Sequence, residues 1–68
     1  MQDGRMSDYL TDRELAELLD IPARTPGQWR YLNRGPAYIK AGRHVRYRRE
    51  DVEQWLTAHT VAPSGDAA

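Results

Sequence analysis

Thr11-Asp12-Arg13-Glu14-Leu15-Ala16-Glu17-Leu18-Leu19-Asp20-Ile21-Pro22-Ala23-Arg24-Thr25-Pro26-Gly27-Gln28-Trp29-Arg30-Tyr31-Leu32 contains two helix starts separated by one stop. Thr11 and Glu14 form a T-x-x-E capping box, in which each side chain satisfies a backbone N–H of the other's end. Leu10 and Leu15 occupy the hydrophobic-staple positions around that box. Leu15, Leu18 and Leu19 then give an apolar stripe at helical spacing. Asp12 and Glu14 sit in the first turn, where the helix dipole favours negative charge. Pro22 ends the helix by about Asp20, because the residue before proline avoids the α region. Thr25-Pro26-Gly27-Gln28 reads as a second box, T-x-x-Q, with Pro26 at the first helical position. Trp29 and Leu32 are three apart and are expected to face the first helix. This helix stops near Asn33, before the breakers Gly35-Pro36. Two helices joined by a turn of about four residues have the spacing of a helix-turn-helix.

Working outward, Tyr38 to Ala41 and Val45 to Arg48 alternate apolar and polar residues, as strands do. Gly42, Arg43 and His44 make a hairpin tip between them. Alternation places Ile39, Ala41, Val45 and Tyr47 on one side and Lys40, Arg46 and Arg48 on the other. A last helix spans about Arg49 to His59, buries Val52, Trp55 and Leu56, and carries Glu50, Asp51 and Glu53 near its start. The expected fold is mostly α with a β-hairpin, a winged helix-turn-helix in the order helix, helix, hairpin, helix. It occupies residues 8–61. Residues 1–7 read as a flexible N-terminal arm, and residues 62–68, small and polar with Pro63 and Gly65, as a disordered tail.

A chain of 68 residues makes one small domain, and it has no cysteine for a disulfide or thiolate zinc site. A domain of this size buries only about 60% of its unfolded surface, so its stability margin is thin. No apolar run approaches the ~20 residues of a membrane span, and no signal peptide is visible, so a cytoplasmic protein without a membrane partner is expected. The formal net charge is zero. Its distribution is not neutral: between Ile21 and Arg49 there are eight cations and no acid, and all ten acids lie on either side. Such a window points to a polyanion, and DNA suits it best.

The string Y-L-T-x-x-E-L-A-x-L-L-x-I over Tyr9 to Ile21 is followed by Thr25 and Trp29. Then comes G-P-x-Y-I-K-x-G-R-x-V-R-Y-R-x-x-D-V-x-x-W-L over Gly35 to Leu56. In this combination the chain resembles the small excisionase-like, MerR-type winged helix-turn-helix domains. The resemblance implies that the second helix enters the major groove and the wing lies along the minor groove. The family commonly has a helix-forming pair after the Thr, where this chain has Pro26-Gly27. Gly in a helix costs roughly 1 kcal/mol relative to Ala, so this step weakens the start of the recognition helix.

With Trp29 inward, Gly27, Tyr31, Arg34 and, less directly, Arg30 point outward, with Arg24 in the turn on the same side and Gln28 at the flank. The candidate recognition-helix contacts are Arg24, Thr25, Gly27, Gln28, Arg30, Tyr31 and Arg34. Arg grips guanine bidentately and Gln pairs with adenine, which is the chemistry of major-groove reading. The candidate wing contacts are Lys40, Arg43, His44, Arg46 and Arg48. An Arg at a narrow tip suits the negative potential of a narrow minor groove. Trp29 and Trp55 read as core. Glu50 and Asp51 read as dipole and ion-pair residues, and His44 and His59 lack the spacing of a metal pair, so neither a cofactor, a metal nor a catalytic residue is expected.

The resemblance implies a recombination directionality factor that promotes excision of a phage or integrative element with an integrase as partner. A small transcription regulator using the same surface is the alternative. MerR-type regulators dimerise through a long helix after this domain, whereas about a dozen residues follow Leu56 here in a Pro/Gly/Ser tail. A monomer in free solution that binds direct repeats of double-stranded DNA cooperatively, beside neighbouring copies of itself, is therefore expected.

Overall fold

The computed structural model describes residues 8–63. The expected arm, residues 1–7, and residues 64–68 of the expected tail lie outside the described residues. The order is β1 (Tyr9–Leu10), α1 (Asp12–Leu19), α2 (Thr25–Tyr31), β2 (Ile39–Ala41), β3 (His44–Arg48) and α3 (Arg49–Ala58). This is the winged helix-turn-helix, with one more strand than the expected hairpin. The sheet is antiparallel in the order β1-β3-β2. Tyr9 pairs with Arg48 and Leu10 with Tyr47, so the short strand before α1 covers the inner edge of the wing.

α1 forms as its local signals direct. Glu14 N–H donates to Thr11 Oγ1 at 3.1 Å, and Thr11 N–H donates to Glu14 Oε1 at 2.9 Å, closing the capping box. Asp20 ends the helix in the left-handed conformation at φ 57°, and Ile21 N–H bonds the Ala16 carbonyl at 2.9 Å. Leu10, Leu15, Tyr47 and Val52 are the buried core, with Leu19, Trp29, Val45 and Leu56 packed against it. Leu10 and Leu15 thus meet as the staple predicts. Leu18, expected in the stripe, is half exposed, because it lies off the side of α1 that Leu15, Ala16 and Leu19 turn toward the core.

α2 departs from expectation at its start. Its N-cap is Arg24, in a helical conformation and without a side-chain capping bond. Thr25 is already helical, so the expected Thr25–Gln28 box does not form. The helix ends at Tyr31, and Leu32, expected to face α1, is the C-cap and more than half exposed. Trp29 does turn inward, against the core cluster, but its ring partner is on α3: the Trp29 and Trp55 rings lie 5.0 Å apart at 46°. Asn33 and Gly35 then take positive φ values of 60° and 88°. A Cβ on Gly35 would fall 2.9 Å from Trp29 Cε3, so the chain turns tightly beneath the indole.

The wing is a two-residue hairpin, with Gly42 at φ 64° in the first loop position. His44 is the first residue of β3 and pairs with Ala41, not part of the tip. The register, Ile39 opposite Arg46 and Lys40 opposite Val45, corrects the expected facing. Residues directly opposite in an antiparallel pair share a face. Lys40 therefore lies on the Val45 and Tyr47 face, while Ile39 and Ala41 share the other with Arg46 and His44.

Candidate nucleic-acid interface

α2 is about 10 Å long, which suits a groove about 12 Å wide. Arg24, Gln28, Tyr31 and Arg34 are exposed around it, and Tyr31 is 89% exposed. Gly27 is partly covered, and Thr25 is half-buried at the helix start. Because the second capping box is absent, the Gln28 amide is not spent on the backbone. Among the described residues, the side chains of Arg24, Gln28 and Arg34 carry no hydrogen bond or ion pair.

Arg30 is placed differently. Its Nη1 and Nη2 donate to the two Asp12 carboxylate oxygens at 2.6 and 3.2 Å. Nη1 also donates to Tyr47 Oη at 2.6 Å, and that hydroxyl donates onward to Asp12 Oδ1 at 3.0 Å. The guanidinium carbon sits 5.6 Å from the centre of the Tyr38 ring, and the Tyr38 and Tyr47 rings are 6.3 Å apart. The hydrogen bond to Asp12 raises the Arg30 pKa further above its ordinary value. Burial pushes the Tyr47 hydroxyl up to about 12. Sequence spacing gave no sign of this cluster, because its members come from α1, α2 and β3.

The wing's cations are also unequal. Arg43 at the tip and Lys40 beside it are exposed, with no side-chain partner among the described residues. Arg46 Nη1 donates to the Val45 carbonyl at 2.7 Å, which folds the side chain back along its own strand. Arg48 lies 3.7 Å from Asp51, an i,i+3 pair at the start of α3. Such a half-exposed pair contributes little and is readily exchanged for a phosphate. His44 is exposed on the face of Ala41. The acid-free window therefore divides into held cations, among them Arg30, and uncommitted ones: Arg24, Arg34, Lys40 and Arg43.

No group of three or more His, Asp or Glu among the described residues is arranged to hold a metal. His59 lies against Trp55, with ring centres 4.6 Å apart, and its Nδ1 is 2.9 Å from the Trp55 carbonyl. No described helix is long and apolar enough to cross a membrane.

A family of helix-turn-helix domains matches residues 9–60, from β1 to just past the end of α3. The chain belongs to this family of small excisionase-like helix-turn-helix proteins. Within it, this chain is a small DNA-binding protein whose helix-turn-helix and wing both fall inside the matched span. No individually curated protein matches the chain.

Proposed function

We propose that the protein is an excisionase: it binds direct repeats beside an attachment site cooperatively, bends that DNA and directs an integrase toward excision. The observation that carries the DNA-contacting part is the pair of uncommitted cation groups. Arg24 and Arg34 flank α2, and Lys40 and Arg43 lie on the wing. In this reading Arg24, Gln28, Tyr31 and Arg34 meet the major groove, with Thr25 and Gly27 where the helix start approaches the backbone. Lys40, Arg43, His44, Arg46 and Arg48 meet the neighbouring minor groove and its phosphates.

One-sided charge neutralisation and an inserted Arg favour curvature, so an array of copies bends its site. A single module of this size buries on the order of 600–1,000 Å² on DNA, which is why several copies are needed for specific occupancy. The protein does no chemistry itself in this scheme and works in the cytoplasm where the DNA lies.

The test is recombination in vitro between attachment sites by the cognate integrase, with and without the protein. Stimulated excision supports the proposal. Specific binding without any effect on excision would favour the small transcription regulator instead. Five to seven phosphate contacts predict a slope of about −5 to −6 for log K against log salt, and a flat response would remove DNA as the ligand.

A further inference from the structure

Resting on the DNA-binding reading, the geometry points to Asp12, Arg30 and Tyr47 as positioning residues that set the recognition helix against the wing, without reading DNA themselves. α2 packs on α1, but it has no comparable backbone packing on either wing strand. A polar contact does cross that gap. Arg30 reaches from α2 to Tyr47 on β3 at 2.6 Å and lies over Tyr38, at the approach to β2. Asp12, on α1, closes the triangle through both partners at 2.6 and 3.0 Å. Tyr47 is almost fully buried, so its hydroxyl is held in place by the core rather than by solvent. A guanidinium held in two-point contact by a carboxylate has a defined direction as well as a bond. The three-way tie thus transmits the position of β3 to α2, and both DNA-facing prongs move as one body.

Asp12→Asn separates this role from the obvious electrostatic one. Removing an acid next to a polyanion site strengthens binding, and it does so all the more if Arg30 is thereby released to touch DNA. The positioning role predicts the reverse sign. The experiment uses the full chain and a duplex enriched by the wild-type protein from a randomised pool, under conditions where circular dichroism shows each variant folded. Asp12→Asn should weaken binding about tenfold and Tyr47→Phe, which keeps the ring, about threefold. Arg43→Ala should cost at least threefold less in either background than in the wild type, because a wing no longer held in register contributes less. Stronger binding by Asp12→Asn, or additivity of Tyr47→Phe with Arg43→Ala, would overturn the inference. Should Asp12→Asn not fold, the Tyr47→Phe cycle alone decides. Failure of the wild-type protein to enrich any duplex would instead overturn the DNA reading, and the inference with it.

Discussion

α1 and α2 are nearly equal in length, eight and seven residues, and they are held by different means. α1 carries its own instructions: a closed capping box, acids in its first turn and a left-handed stop at Asp20. α2 lacks a side-chain cap, has Pro26 and Gly27 in its first turn, and takes its position from neighbours. Trp29 stacks on Trp55, Pro26 is buried, and Arg30 is tied to Asp12 and Tyr47. The helix that presents the candidate contacts is therefore the one whose existence depends on tertiary structure. Its outward residues are freed from any duty to make the helix form.

Substitutions can break this contrast. The largest effect is expected from Gly35→Ala, which combines a positive φ with a contact of 2.9 Å on Trp29. It should cost about 2–4 kcal/mol in urea unfolding and perturb Trp fluorescence, while the cap of α1 is untouched. Alkaline pH acts on the core beneath α2, through Tyr47. The Tyr47 pKa is raised from 10 to about 12 in the folded protein, so the folded state keeps a proton that the unfolded chain gives up. That contribution is complete below pH about 10 and is lost as pH rises through about 12. Tyr47→Phe should remove this part of the alkaline limb, followed by unfolding midpoints across that window.

Thr11→Ala removes a capping bond that is present and should cost about 1 kcal/mol. Gly27→Ala goes the other way. An added Cβ would meet only Arg30 Nη2, at 3.6 Å, so stability should rise by about 0.5–1 kcal/mol. Unchanged or lower stability would show that α2 is strained at that step. Thr25→Ala should be the smallest change, within about 0.5 kcal/mol, because no capping bond is there to lose. A cost equal to that of Thr11→Ala would mean that α2 is capped after all and would erase the distinction between the helices.

What was legible in the sequence follows the same division. The start, stripe and stop of α1 come from residues three to five apart, and they fold as read, apart from Leu18. The start of α2 is not legible in the sequence, because a T-x-x-Q string resembles a cap, whereas Thr25 is already inside the helix. β1 has no sequence signature because two residues carry no period, and only pairing with β3 makes them a strand. Alternation within each wing strand was right, but which faces coincide depends on cross-strand register, which alternation does not contain. The polar triangle lay furthest from view: Asp12 and Tyr47 are 35 residues apart and meet only in the folded chain. As a result, a residue grouped with outward-facing cations turned out to be held between elements.

The Arg30 tie also has a consequence for protein engineering. α2 can be treated as a rewritable cassette with two fixed pins. Trp29 anchors it to α3 and Arg30 to α1 and β3, while among the described residues the side chains at positions 24, 28, 31 and 34 have no such attachment. A library diversified at those four sites keeps the scaffold's geometry constant, so new preferences can be attributed to the letters changed. Transplanting an unrelated seven-residue helix without an arginine at the sixth place would change the frame along with the text.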